Sequence, residues 1–361
     1  MTDLPSSMCG VVLTGHGGLD RLVWREDLPV PVAAEGEVLI RVRASSVNNT
    51  DINTRTAWYS KAVREGTEAG RVSGNSEAQD ADGGWSGEAI SFPRIQGADC
   101  CGEIVAVGPA VPETRVGERV LVRALQSTGA SGDRFATWTF GSECDGGFAQ
   151  FTKTFAADAL PVRSDWSDPE LASIPCAYAT AEGMLQHADV QAERVLITGA
   201  SGGVGSAAIQ LAKRRGAHVT AVTSKDKMDS IRALGADATL SRDDRLPEDA
   251  FDVVVDLVAG PRWAGLIDAL RRGGRYVTAG AIAGPVVELD VRTLYLRDLS
   301  FFGTTFQPDN ILPDVIGYIE RGELAPMTAE IFDLKDLQAA QQAFLDKKHI
   351  GKNRVTRSLS R

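Results

Sequence analysis

The stretch Arg194-Val-Leu-Ile-Thr-Gly-Ala-Ser-Gly-Gly-Val-Gly-Ser-Ala-Ala-Ile-Gln-Leu-Ala-Lys213 decides how this chain folds. Val195, Leu196 and Ile197 make a short apolar, partly β-branched run, the pattern of a strand buried on both faces. A glycine-rich turn follows from Gly199 to Gly205. A helical pattern opens at Ser206, with Ile209, Leu211 and Ala212 at apolar positions. Gly216 ends it where a left-handed residue is wanted. Ala217 to Val222 reads as the next strand. This order predicts half of a dinucleotide-binding βαβ unit. Ala200, Ser201, Gly202, Gly203, Val204 and Gly205 are then the cofactor-binding turn. Their backbone can approach a pyrophosphate, and the helix start offers it unpaired N–H groups. The strict fingerprint has glycine where Ala200 stands. A tight turn with no ligand is the competing reading.

Working outward, the 361 residues are enough for two domains. A hydrophobic share of 43% with 24% charged residues is that of a soluble globular chain. The formal net charge of -10, with no long basic run, argues against nucleic acid and anionic membranes as partners. No apolar stretch is long enough to span a bilayer. Met1 to Gly10 lacks the features of a signal peptide, so a cytoplasmic location is expected. The five cysteines include no C-x-x-C pair, and no disulfide framework is expected.

The first part of the chain is β-rich. Gly10 to Thr14, Glu37 to Ala44, Cys101 to Val107 and Arg119 to Val122 read as strands separated by turn residues. From Asp168 the pattern changes. Pro169 to Ile174 and Thr180 to Ala188 look helical. Beyond the glycine turn, helices at Asp226 to Leu234 and Trp263 to Leu270 alternate with strands at Phe251 to Val258, Arg275 to Ala279 and Leu299 to Gly303. This alternation predicts a doubly wound parallel sheet. Helices near Ile311 to Arg321 and Leu334 to Asp346 and a strand near Asn353 to Thr356 close the chain. Lys61 to Ser91 reads as a long surface loop with Trp85 as its anchor. Gln126 to Gly141 reads as a second, anchored by Trp138 and Phe140.

Several stretches, in the same order along the chain, carry a resemblance. They are Gly36-Glu37-Val38-Leu39-Ile40, Gly97-Ala98-Asp99-Cys100-Cys101-Gly102-Glu103, Gly117-Glu118-Arg119-Val120, Gly146-Gly147-Phe148-Ala149-Gln150, the glycine turn, Leu234-Gly235-Ala236-Asp237 and Gly351-Lys352-Asn353. Together they resemble the medium-chain dehydrogenase/reductase superfamily, and within it the zinc-free quinone oxidoreductase-like members. The resemblance implies an α/β protein with a GroES-like β-rich catalytic domain and a Rossmann doubly wound parallel sheet. It places the catalytic domain at 1–166, completed by 305–361, and the dinucleotide-binding domain at 167–304.

Zinc-dependent relatives hold their metal with Cys, His and Cys. Those positions match Asn48, Ala98 and Cys176 here, which leaves one thiol and no expected metal. Where a structural zinc lobe would carry four cysteines, Gln126 to Asp145 has only Cys144. The resemblance puts Asn48, Asp51 and Tyr59 at the catalytic centre, with the Tyr59 phenol able to donate to an acceptor oxygen. Asn53 stands where that family pattern has an earlier tyrosine. Thr180, Gly280 and Ala281 are expected near the cofactor, and Phe306, Lys352 and Asn353 are weaker candidates. Asp99 reads as structural, holding backbone N–H groups.

The second strand ends Ala221-Val222-Thr223-Ser224-Lys225-Asp226-Lys227. It has no acidic residue at the position that would take a ribose 2′-hydroxyl, and Ser224 and Lys225 favour a 2′-phosphate. NADPH is therefore the expected cofactor, with a solvated helix start as the other reading of those lysines. The expectation is a zinc-independent, NADPH-dependent oxidoreductase that reduces a quinone, an enone or an activated carbonyl compound. An alcohol dehydrogenase of the same superfamily and a low-turnover NADPH-binding sensor or scaffold are the alternatives. A small-molecule substrate and a second copy of the chain, as a homodimer, are the expected partners.

Overall fold

A computed structural model describes residues 4–78, 80–127, 135, 137–327 and 330–356. The chain forms two compact units. One comprises Met1–Val63, Gly70–Cys176 and Pro326–Arg361, and the other Arg64–Ala69 and Ala177–Ala325. The crossings come later than the sequence boundaries near 166 and 305. The short helix Asp168–Leu171 packs on the strands Glu37–Ser46 and Cys101–Val107 and so stays with the first unit.

In the second unit six strands form one parallel sheet. From edge to edge they are Ala238–Ser241, His218–Thr223, Arg194–Ile197, Phe251–Asp256, Leu270–Thr278 and Ser300–Gly303. Numbered in chain order within the sheet they run 3-2-1-4-5-6, the Rossmann order, with the chain reversing direction beside the glycine turn. Leu196 lies between Thr220 and Val254, and all three are buried, as a central strand covered on both faces requires. The helix Gly203–Arg214 packs on the first two strands through Ala207, Ala208, Leu211 and Ala212. It starts three residues before Ser206, because the Gly203 and Gly205 N–H groups fall in a first turn that needs no intrahelical partner. A core of Leu196, Val254, Trp263, Leu266, Leu270 and Tyr276 fills one side of the sheet.

The first unit is a β structure, as the sequence pattern predicts. Its largest sheet has seven strands, six of them in the order Ala159–Pro161, Arg119–Val122, Cys101–Val107, Glu37–Ser46, Arg354–Thr356 and Ile331–Asp333. Phe151–Phe155 also pairs with Glu37–Ser46. The pairing of Arg354 with Ser46 lays the end of the chain beside the segment that leads into Asn48. There the helix Asn49–Arg55 forms. Its sequence, Asn-Thr-Asp-Ile-Asn-Thr-Arg, shows no apolar stripe, yet Asp51 to Arg55 are all buried. Arg55 is buried because every arm finds an acceptor: Gln341 Oε1 at 2.9 Å, the Gly17 carbonyl at 2.7 Å and the Arg71 carbonyl at 3.2 Å.

The long loops differ from expectation. Lys61 to Ser91 is tied down mainly by hydrogen bonds, and Trp85 is only half-buried. Asn75 donates to the Thr56 carbonyl (2.8 Å), and the Lys61 N–H donates to Asp82 (2.9 Å). Within the second unit, the Thr67 N–H donates to the Ile282 carbonyl at 3.0 Å. In Gln126 to Gly141, residues 128–134 and 136 lie outside the described residues. Phe140 is buried there, whereas Trp138 is exposed. No helix among the described residues is long and apolar enough to cross a membrane. No disulfide joins Cys9, Cys100, Cys101, Cys144 or Cys176.

Candidate active site

In the β-rich unit two buried carboxylates organise the residues singled out by sequence. Asp99 is fully buried. Its Oδ1 accepts the Cys176 N–H at 2.7 Å, and its Oδ2 accepts the Asn48 carboxamide at 2.8 Å. The Ser46 hydroxyl and the Lys352 ammonium also donate to Oδ2. Asp99 is therefore more than a holder of backbone N–H groups: one carboxylate gathers three side chains and the start of a helix.

Asp51 serves the neighbouring backbone. Its Oδ2 accepts the Asn48 N–H at 2.7 Å, the returning half of a capping box. Its Oδ1 takes the N–H groups of Gly97 (3.2 Å) and Ala98 (3.1 Å). Gly97 sits at φ +105°, where glycine is favoured. Burial pushes the Asp51 carboxyl up to about 7, against the lowering pull of the Asn48 and Ala98 N–H groups, and the Asp99 charge adds to the rise. Both oxygens are thus committed to holding the Asn48 turn against the Gly97-Ala98 segment.

The Tyr59 hydroxyl donates to Thr50 Oγ1 at 3.1 Å. Burial pushes its pKa above that of an ordinary phenol, so the side chain stays protonated and works as a hydrogen-bond donor. Burial also pushes the Cys176 thiol up to about 12. Asn48, Asp51, Tyr59 and Cys176 all lie around this centre. Lys352 does too, but its ammonium is engaged by Asp99. Asn353 is buried with its carboxamide donating to the Ala340 carbonyl at 3.3 Å.

In the parallel-sheet unit the turn has the space a dinucleotide needs. Gly199, at φ +58°, makes the tight bend. That explains how Ala200 stands one position later without strain. A Cβ on Gly202 would meet nothing closer than the Gly199 carbonyl at 3.4 Å, so its outer side is open. A Cβ on Gly205 would lie 2.3 Å from the Gly199 oxygen, so helix and turn pack there backbone to backbone. Open approach at one glycine and close packing at the other fit a pyrophosphate at the helix start. Ser201 is buried within the turn, and Gly203 and Val204 form the first helical residues.

At the end of the strand His218–Thr223, Ser224 and Lys225 begin a short 3₁₀ turn. Lys225 is exposed. The Ser224 hydroxyl is hydrogen-bonded to the Asp226 carboxylate, and this bond is the main reason that carboxyl lies below its usual range. Arg242, whose N–H donates to the Thr223 carbonyl at 3.2 Å, adds a second exposed cation beside this turn. Sequence reading missed Arg242; the available signal was a basic residue immediately after the strand Ala238–Ser241. Gly280 follows the strand Leu270–Thr278, with its carbonyl accepting from Thr278 Oγ1 at 3.1 Å. Ala281 and Phe306 are half-buried, and Thr180 lies on the helix Pro175–His187.

The residues present do not fit a catalytic zinc. Among the described residues no three His, Cys, Asp or Glu side chains gather in a metal-holding group. The three positions given by the resemblance carry an amide, a methyl and one thiol, and the adjacent carboxylate already holds a cation.

Residues 34–164 match the alcohol dehydrogenase GroES-like domain family, and residues 203–321 match the zinc-binding dehydrogenase family. A solved structure from Sinorhizobium meliloti 1021, assigned only provisionally as an alcohol dehydrogenase, is 40% identical with a TM-score of 0.88, covering 99% of each chain. The acryloyl-coenzyme A reductase of Metallosphaera sedula is 26% identical over 90% of this chain and 94% of its own length. The NADPH-dependent alkenal/one oxidoreductase of Arabidopsis thaliana chloroplasts is 28% identical over 90% of this chain and 72% of its own length. The chain belongs to the medium-chain dehydrogenase/reductase superfamily and is an oxidoreductase of that family.

Proposed function

We propose that this protein is an NADPH-dependent reductase of activated double bonds, with enones as the favoured class and quinones and activated carbonyl compounds as related acceptors. The observation that carries the reading is the pairing of Asp99 with a lysine at a centre where, among the described residues, no metal-holding group of side chains gathers. Without a metal, an acceptor oxygen must be polarised by hydrogen-bond donors. A conjugated acceptor suits this because its developing charge is delocalised. An alcohol suits it less, since nothing there lowers the alcohol pKa. The names of the acryloyl-coenzyme A and alkenal/one relatives support the same substrate class.

The reduced nicotinamide, when bound, supplies the hydride. The chain's own residues do the rest. Gly202 to Gly205 admit the pyrophosphate. Lys225 and Arg242 hold a 2′-phosphate by charge-assisted bonds. Thr180, Gly280, Ala281 and Phe306 wall the cofactor. The Tyr59 hydroxyl turns from Thr50 to donate to the acceptor oxygen, and Asn48, held by Asp51 and Asp99, lines its seat. Tyr59→Phe is expected to lower enone turnover by about 10²-fold with NADPH affinity nearly unchanged, and to lower quinone turnover less. Steady-state kinetics check this, and unchanged rates on every substrate would end the role. Lys225→Ala and Arg242→Ala should each weaken NADPH by about 1.5–3 kcal/mol and leave NADH unaffected, read by fluorescence titration. Equal affinities of the parent protein for the two cofactors would sink the NADPH assignment.

The 40% identical neighbour favours an alcohol/aldehyde pair as a second reading. Oxidation of simple alcohols with NADP⁺ at rates matching enone reduction would establish it. For assembly, we propose a homodimer through the edge strand Ser300–Gly303. This strand is an edge of the parallel sheet and follows a segment with Val291, Tyr295 and Leu296 exposed.

A further inference from the structure

We propose that the short stretch Arg64–Ala69 braces the nicotinamide wall of the parallel-sheet unit, with Gly66 and Thr67 as positioning residues. The proposal rests on the reading above that Gly280 and Ala281 wall the cofactor, here on its nicotinamide side. The stretch belongs to that unit, although its neighbours in sequence, Val63 and Gly70, belong to the other. It lies in the long loop Lys61 to Ser91, which none of the family-like motifs covers. Arg64, Glu65, Glu68 and Ala69 are exposed, whereas Thr67 is buried. The Thr67 N–H donates to the Ile282 carbonyl at 3.0 Å, and its hydroxyl donates to the same oxygen at 3.4 Å. At Gly66 the fit is backbone on backbone. A Cβ there would lie 2.6 Å from the Ile282 oxygen and 3.0 Å from the Ala283 carbonyl carbon.

The segment that receives this brace is also held from within the unit. The Ala283 N–H donates to the Val258 carbonyl at 2.9 Å, and a Cβ on Gly260 would lie 2.7 Å from the Ala283 methyl. Val258 and Ala259 are fixed in turn by Asp256, whose buried carboxylate accepts their N–H groups at 3.0 and 3.1 Å. The same carboxylate accepts the Tyr276 hydroxyl at 2.7 Å and the Thr198 hydroxyl at 2.5 Å. Thr198 directly precedes Gly199. One bonded series therefore runs from the glycine turn through Asp256 and Ala283 to Thr67. Gly280 and Ala281 stand in sequence immediately before its outer link at Ile282. Hydride transfer needs donor and acceptor held close, and misplacement by about 1 Å can cost about a hundredfold in rate. A brace on the wall thus acts on the reaction without touching substrate.

The test compares whole and half cofactors. Gly66→Ala sets a methyl against backbone, so the Ile282 carbonyl must shift by about 1 Å to regain ordinary contact. Calorimetry gives the affinities for NADPH and for adenosine 2′,5′-bisphosphate, which lacks the nicotinamide, and steady-state assays give enone turnover. In Gly66→Ala we expect NADPH binding about tenfold weaker and turnover about 10²-fold lower, with the half cofactor bound as in the parent. Thr67→Val deletes only the hydroxyl bond and should lower turnover about threefold, while Thr67→Ser keeps the parent rate. If Gly66→Ala does not fold, the Thr67 pair decides alone, and a parent rate in Thr67→Val overturns the proposal. Equal weakening of whole and half cofactor in Gly66→Ala overturns it too, as do parent-like NADPH binding and turnover in both variants. Gly280→Ala separates the brace from the reading beneath it. Weaker NADPH in that variant but not in Gly66→Ala refutes the brace alone, and unchanged NADPH in both refutes the wall as well. Running NADH against ADP in parallel keeps the outcome independent of which cofactor the chain prefers.

Discussion

Around Gly199 to Gly205 the backbone is placed by the absence of side chains, while around Asp99 it is placed by side chains that fill every polar demand. In the first region Gly202 leaves an open side and Gly205 allows contact at 2.3 Å from a would-be Cβ. In the second, one carboxylate draws on residues as far apart in sequence as Ser46 and Lys352. The contrast teaches how differently the two regions tolerate change. A turn built on missing atoms is damaged by adding them. A centre built on matched charges is damaged by removing one partner.

The largest expected effect comes from breaking the second region. Lys352→Met alone in the natural chain should cost about 3–5 kcal/mol of stability, because it leaves Asp99 buried and unpaired. Denaturant unfolding measures this, and a loss below 1 kcal/mol would show that the pair is not buried as described. The first region gives the next effect. Gly205→Ala should cost about 1–3 kcal/mol, since the added methyl meets the backbone of Gly199 and Ala200. Gly202→Ala should change stability by less than about 0.5 kcal/mol and still weaken the cofactor, because its Cβ would occupy the approach to the turn. Thermal melts beside cofactor titrations separate the two, and the reverse ordering would refute this account of the turn.

The last effect has the opposite sign. Ala259 adopts φ 51° and ψ -137°, a conformation that only glycine adopts at low cost, and its N–H is held by the Asp256 carboxylate at 3.1 Å. Ala259→Gly should therefore raise stability by about 1 kcal/mol, read as a higher thermal midpoint. A lower midpoint would mean that the strain is already relieved elsewhere.

The same contrast explains what could be read from the sequence. The glycine turn was legible because its spacing is a local property of strand, bend and helix. Cys101–Val107 and Arg119–Val122 were legible to the residue because their apolar runs are bounded by turn residues. The helix Asn49–Arg55 was not, since its buried residues are mostly polar and leave no apolar period. Its burial depends on partners such as Gln341, 286 positions away from Arg55. The Lys352–Asp99 pair was hidden for the same reason, with 253 positions between its members. The sequence placed Lys352 near a cofactor, and only the folded chain shows the carboxylate that claims its ammonium. Trp138 was misread because an aromatic in a polar loop suggests a buried anchor, and it is exposed instead.

The excursion of Arg64 to Ala69 limits how this protein can be taken apart. That short piece belongs to the parallel-sheet unit, where the Thr67 N–H meets the Ile282 carbonyl, although the chain on both sides of it belongs to the other unit. A graft that transplanted residues 177–325 as a self-contained cofactor cassette would leave this rivet behind. It would bare the Ile282 carbonyl close to Gly280 and Ala281. A chimera built from this chain needs its cut points on either side of that rivet, or a replacement for the hydrogen bond it makes.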